Sequence, residues 1–427
     1  MQKQLALFFM LPLVLAPCLN AQTRPSRAVL GYSACWRDPI CPPEEYNYSA
    51  LTHIARSFLA PHPDGSIGVP SNFFNKKMES LARQHNVKLL LSLGGEADNA
   101  DNWLSIARHP QYLARFYAEL ENLIVQHGYD GIDIDWEPSP LTDEDGVAYT
   151  SMLKGLRARF PKMVLTTALG ASEYWISHHS WKDVFDSVDY VNVMVYTYSG
   201  AWGGRAAYAS NLHPPGAYPP QPEFSVEEGM RNLIENHKAP PAKLLMGITF
   251  WASRFAANKI GDPFPINQPG YSDDITYEQA MGLIGSGNYQ EFWDEKAGMS
   301  YLERKGGGSV VTFENPRSIK LKCEYADKLH CAGIMIWHVG ADVYGQHAPL
   351  MDIVAESFGV TPQRLSREVL ESQILDLQRS LKIPADSAKL SQQPDNQAEN
   401  QRLELEKQAA LEQDQQWQTE ARKRGNK

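Results

Sequence analysis

The sequence predicts an α/β fold, a (β/α)8 barrel, on three observations. Short apolar runs alternate with amphipathic stretches from about residue 27 to residue 359. The runs number eight, and one of them, with the residue just beyond it, carries three acidic residues on a single face. Alternation of this kind implies a parallel sheet with helical crossovers, and eight parallel strands suffice to close a barrel.

The eight runs are Ala28–Tyr32, His53–Leu59, Lys88–Leu93, Gly131–Trp136, Met163–Leu169, Tyr190–Tyr196, Leu244–Phe250 and Gly333–Trp337. Helical spacing of apolar residues marks Gln111–His127, Val147–Phe160, Ser225–Asn236 and Ser318–Leu329. An open doubly wound sheet would usually carry a Gly-rich phosphate loop after its first strand. This chain has Ser33-Ala34-Cys35-Trp36 there.

Composition divides the chain into segments. Residues 1–21 read as an export signal: Lys3, an apolar run from Leu5 to Leu15, and a small-residue cleavage site at Leu19-Asn20-Ala21. The run is too short to span a bilayer, so the protein is expected to be secreted or periplasmic. Cys18 raises a lipoprotein alternative that Pro17 fits poorly. Residues 22–360 form the barrel, with 252–316 a small polar and aromatic insertion after the seventh strand. Gly200–Phe224, rich in Gly, Pro and Tyr, is a long loop after the sixth strand. Residues 361–427 are rich in Gln, Glu, Lys and Arg, with Trp417 the only aromatic. They read as a helical or disordered tail that self-associates or tethers, too poor in apolar surface to form a packed domain.

The formal net charge of -10 argues against nucleic acid as a partner. Beyond the leader, four cysteines fall into two local pairs. An exported chain can keep disulfides, and Cys35–Cys41 and Cys323–Cys331 are the expected ones, against buried free thiols. Their spacing is not that of a zinc site, and neither metal nor cofactor is expected.

The chemistry concentrates in Tyr129-Asp130-Gly131-Ile132-Asp133-Ile134-Asp135-Trp136-Glu137. Side chains alternate faces along a strand. Asp133, Asp135 and Glu137 therefore share the inward face, while Ile132, Ile134 and Trp136 face the helices. Carboxylates about 6–7 Å apart on one strand, partly desolvated, cannot all ionise freely. A shared proton and a raised pKa are expected, which suits a general acid. Glu137 lies at the C-terminal end of its strand, where barrel active sites sit.

The run Asp130–Glu137 resembles the DGxDxDxE signature of glycoside hydrolase family 18, the chitinases and their relatives. Ser92-Leu93-Gly94-Gly95 resembles the family's third-strand motif, Met194-Val195-Tyr196 its sixth, and Gly333–Trp337 its eighth. Gly31-Tyr32 fits the first strand. Ser199-Gly200-Ala201-Trp202 resembles a loop carrying a substrate-facing Trp. The similarity extends over nearly all of residues 28–358.

That resemblance implies a retaining, substrate-assisted cleavage of β-1,4-linked N-acetylglucosamine, with chitin or its oligosaccharides as the partner. Glu137 would protonate the leaving oxygen and Asp135 would orient the acetamide. Asp133 would share a proton with Asp135, and Tyr196 would hold the acetamido oxygen. Trp337 would floor the pocket, with Tyr32, Phe58 and Met194 lining it, Trp202 on the aglycone side, and Trp251 and Arg254 reaching the cleft. The family usually has Asp where this chain has Thr197, which leaves the substrate open. The modest insertion suggests a shallow cleft. An endo-β-N-acetylglucosaminidase acting on glycans or peptidoglycan, and a non-catalytic chitin-binding lectin, are the alternatives.

Overall fold

A computed structural model describes residues 25–425, apart from 96–99, 138–141, 216–224, 268–269, 346, 363–365, 385–389 and 391–392. The expected leader, 1–21, lies outside the described residues. Eight strands form the barrel: β1 (Ala28–Ala34), β2 (His53–Pro61), β3 (Lys88–Gly95), β4 (Gly131–Trp136), β5 (Val164–Gly170), β6 (Tyr190–Met194), β7 (Leu244–Thr249) and β8 (Gly333–Trp337). All pair in parallel in the order β1-β8-β7-β6-β5-β4-β3-β2, and pairing of β1 with β2 closes the ring.

Strand alternation divides the apolar residues into two separate sets. Val29, Ile132, Ile134, Val191, Val193, Ile334 and Ile336 pack outward against the helical shell. Leu30, Tyr32, Ala55, Leu90, Leu245 and Met335 fill the lumen as a cluster of their own. Trp136, on the outer face of β4, stacks on Trp103 of the helix Ala100–Arg108 at 5.6 Å. Gly94 lets β3 and β4 approach: its φ is 111°, and a Cβ there would lie 1.9 Å from the Asp135 carbonyl oxygen.

The loop after β1 is pinned by one buried cation. Arg56 of β2 is fully buried and donates to both carboxylate oxygens of Asp38 at 2.7 Å, to Ser33 Oγ, and to the carbonyls of Asn72 and Phe73. A two-pronged guanidinium–carboxylate pair fixes position as well as charge. It holds the turn that carries Trp36.

After β7 the chain leaves the barrel to build a five-stranded antiparallel sheet. Its strands run in the order Tyr271–Thr276, Trp251–Phe255, Val310–Phe313, Met299–Arg304, Tyr289–Asp294. The helix Tyr277–Gly285 packs on it, started by a Thr276/Gln279 capping box. Glu314, fully buried, accepts from Ser210, Ser318 and Lys322, tying the loop after β6 to the end of the insertion.

The C-terminal segment is helical, one of the two forms expected, and it is packed where little packing was expected. Helices Arg367–Ser380 and Asp395–Gly425 pack around Leu370, Ile374, Leu390, Ala398 and Leu405. The long helix then lies against the insertion helix, so closely that a Cβ on Gly282 would come within 2.5 Å of Ala410 Cβ. The tail has little apolar surface of its own, but it borrows a partner surface from the insertion.

The expected disulfides are corrected. Cys35, Cys41, Cys323 and Cys331 are all free and buried. The Cys35 thiol faces the Phe58 backbone amide, whereas Cys41 packs on Tyr46 and Gly340. Burial pushes the Cys323 and Cys331 thiols up to about 12, so they stay protonated.

Replacing Arg56 with Met should destabilise the fold by about 3–5 kcal/mol, because Asp38 and two carbonyls lose a buried donor. Urea unfolding checks this; an unchanged midpoint would contradict the pinning role.

Candidate active site

The three carboxyls of β4 occupy different environments. Asp133 lies deepest and is fully buried. Its lateral neighbours in the sheet are Ser92 of β3 and Thr166 of β5. Both turn hydroxyls onto it: Ser92 Oγ donates to Oδ2 at 2.7 Å, and Thr166 Oγ1 donates to Oδ1 at 2.5 Å. From across the lumen, Tyr32 Oη donates to Oδ2 at 2.9 Å and Asn192 Nδ2 to Oδ1 at 3.0 Å. Burial raises the Asp133 pKa above its ordinary value, and the four donors offset only part of that rise.

Asp135 is one step nearer the mouth and 3% exposed. Burial, then the charges of Glu137 and Asp133, push its pKa well above the ordinary carboxylate range. Its hydrogen-bond partner is Glu137. Two carboxyls in hydrogen-bond contact need a proton between them, so the shared proton sits between Asp135 and Glu137. The expected sharing between Asp133 and Asp135 is not what the geometry provides, because Asp133 is already occupied by four donors. Asp135 Oδ1 is buried and has no hydrogen-bond partner among the described residues. Glu137 follows the last residue of β4 and is partly exposed.

Tyr196 follows the end of β6. Its phenol is raised well above its ordinary value by burial and then by Asp135, Glu137 and Asp133, so it stays a hydrogen-bond donor beside all three. Gly247 of β7 makes room for it: a Cβ there would meet the Tyr196 ring at 2.8 Å. The next residue, Thr197, has a φ of 58°, a left-handed conformation that is strained for a β-branched side chain.

The mouth has an aromatic wall. Phe58 stacks on Trp337 at 5.7 Å and 15°. Trp36 stacks on Phe58 at 5.8 Å, and Tyr32 meets the Trp337 edge at 5.5 Å. The Ser57–Phe58 and Trp337–His338 peptides are cis. Trp36 is 50% exposed, so its free face is open to a ligand.

The structure brings Tyr32, Phe58, Met194, Tyr196 and Trp337 into the lumen cluster. Trp202 is half exposed and lies over Gly200 in the loop after β6. Trp251 does not join the lumen cluster. It opens the insertion sheet, paired with Thr276. Arg254 turns away from the cleft altogether: it is buried on Tyr289, Ser309 and Asp414, with Trp417 stacked 3.8 Å from its guanidinium. The sequence reading missed Thr166, Asn192 and Trp36. The first two could have been found by carrying the inward parity of Asp133 to its sheet neighbours. For Trp36 the signal was its place just beyond β1.

Known proteins resemble this chain. The model of a family described as glycosyl hydrolases family 18 matches residues 28–342. A Drosophila melanogaster protein named probable chitinase 2 is 26% identical over 305 residues, which are 66% of this chain and 62% of that one. The chain thus spans about three fifths of that relative's length. The solved structure of an Ostrinia furnacalis group IV chitinase superposes with a TM-score of 0.70 at 22% identity, covering 78% of this chain and 99% of that one. A Cycas revoluta chitinase mutant solved with (GlcNAc)4 gives 0.69 at 22% identity, covering 78% and 100%.

Replacing Thr166 with Val removes one donor from Asp133 without changing the side-chain shape. A hydrogen bond to a charged group contributes about 1.5–3 kcal/mol, so the Asp133 pKa should rise by about one to two units. Carbon-13 NMR titration of labelled aspartate reads this directly. An unmoved value would mean that the hydroxyl does not hold the ionised form.

Proposed function

The chain belongs to glycosyl hydrolases family 18, and from that premise we propose that it is a chitinase, cleaving β-1,4-linked N-acetylglucosamine chains with the substrate's own acetamido group as nucleophile. The observation that carries the reading is the pair Asp135 and Glu137. They lie on one face of one strand and hydrogen-bond to each other, so they approach a sugar from the same side. Paired carboxyls of an ordinary retaining or inverting glycosidase flank the bond from opposite sides.

In this reading Glu137, sharing its proton with Asp135, donates it to the glycosidic oxygen as the C–O bond breaks. The acetamido oxygen attacks the anomeric carbon and forms an oxazolinium ion. The orphaned, buried Asp135 Oδ1 accepts the acetamide N–H and stabilises the positive charge developing there. Tyr196 donates to the acetamido oxygen. Water then adds to the anomeric carbon, losing its proton to Glu137, and the configuration is retained. Asp133, held by its four donors, lies behind the pair and anchors the strand that carries it. Trp337 supports the reacting ring, and the stack Phe58–Trp36 extends the wall for neighbouring sugars. Trp202 serves the aglycone side.

Thr197 in place of the family's usual Asp leaves the position after Tyr196 without a carboxylate, so contacts to the sugar there fall to neutral groups. Residues 1–21 belong to the same proposal as an export leader, consistent with a polymeric extracellular substrate. Among the described residues no helix is long and apolar enough to cross a membrane.

Glu137→Gln should lower turnover of N-acetylglucosamine oligomers by about 10²–10⁴-fold, followed by mass spectrometry, while wild-type enzyme releases the β-anomer first by proton NMR. Undiminished cleavage by the variant would remove Glu137 from the acid role. Cleavage of glycoprotein glycans alone would move the substrate class, and sugar binding without cleavage in wild type would favour a lectin.

A further inference from the structure

The two C-terminal helices lie beyond the likeness to the family: the Ostrinia structure is covered over 99% of its length but reaches only 78% of this chain, and the family match ends at residue 342. Besides the Gly282–Ala410 contact, two polar anchors on the long helix tie them to the rest of the molecule. One is the Arg254 site, where Asp414 accepts from Arg254 and Tyr289 and Trp417 covers the guanidinium. The other is a buried cluster of carboxyls at a three-way junction.

That junction draws Glu45 from the loop after β1, Glu278 from the insertion helix, and Arg402 and Glu406 from the long helix. Glu45, Arg402 and Glu406 are each at most 4% exposed. Arg402 pairs with Glu406, to which the Gly345 backbone N–H also donates. The other ionisable groups facing the cluster are Glu44, Glu404 and Tyr344, with Arg37 and Asp342 beside Cys41. Arg37 is partly exposed, so Arg402 is the fully buried cation among them. Two buried carboxyls and the partly buried Glu278 therefore crowd one buried guanidinium, and the pair itself is incompletely satisfied: Arg402 Nη1 and Glu406 Oε2 are buried without partners. A buried charge left unpaired is strongly unfavourable, so the junction cannot carry all its ionised forms and stay closed.

We propose that the long C-terminal helix is a strap fastening the insertion sheet to the barrel, and that the Glu45–Glu278–Glu406 junction is its pH-sensitive latch, closed while the carboxyls are neutralised and opened as alkalinity strips their protons. Burial, then the Glu406 charge, pushes Glu278 up to about 8, and burial raises Glu45 and Glu406 as well. A carboxyl whose folded pKa is raised contributes its full docking stability below its unfolded value, near 4.5, and loses it as pH rises through the folded one. The strap is thus tightest in acid and loosens through neutrality toward about pH 8. This does not depend on which sugar the barrel cleaves.

Hydrogen exchange on the full-length protein from pH 5 to 9, corrected for intrinsic rates, tests it. Amides of residues 398–412 should lose at least about tenfold in protection across that range, the equivalent of one unit of pKa displacement, while the barrel strands do not change. Glu278→Gln should keep the helix protected to pH 9, and Glu45→Gln should do the same should the first variant fold poorly. Asp414→Asn, at the other anchor, should lower protection equally at every pH. Protection that stays flat with pH in wild type, or an alkaline loss unaltered in the Gln variants, would overturn the latch.

Discussion

Three carboxyls on the inner face of β4 are the constraint around which the lumen is arranged. A parallel barrel sends alternate residues inward, where water is scarce, and an ionised carboxylate there is unfavourable unless donors or protons meet it. Each of the three is met differently. Asp133 receives four neutral donors from four other strands. Asp135 and Glu137 meet each other. Tyr32, Ser92, Thr166 and Asn192 are thus accounted for by one strand's charge, and the apolar lumen set of Leu30, Leu90, Leu245 and Met335 packs around them.

The surroundings of the site are held by ion pairs that never touch it. Arg56 and Asp38 fix the loop bearing Trp36. Lys322 and Glu314 fix the loop after β6 to the insertion. Arg254, on the insertion's second sheet position, is drawn off toward the C-terminal helix. The barrel supplies the acids, and the walls around them depend on these buried charges placed in the loops.

Much of this was legible in the sequence because it is periodic. The eight apolar runs became the eight barrel strands, and the parity of Asp133, Asp135 and Glu137 placed them inward as expected. What escaped is non-periodic. The insertion strands, such as Tyr289–Asp294, alternate weakly because they are half exposed and short. The partners of Asp133 come from Thr166 and Asn192, residues whose significance exists only once the sheet register is known. Cysteine spacing told nothing of where each sulfur points: Cys41 faces Tyr46 and not Cys35. The packing of the tail was missed because its composition was weighed alone, whereas Leu405 packs within the tail's own cluster and Ala410 meets the insertion helix.

The contact of Gly282 with Ala410 bears on where this protein ends as a folding unit. The family model's match ends at residue 342, which invites a cut there. Such a cut would strip the insertion helix of its cover, strand the buried Arg254 without a counter-ion, and open a ridge shaped to receive another backbone at close range. Modularity in this chain therefore does not follow the boundary of its ancestry: the piece that could be transplanted whole is barrel, insertion and strap together.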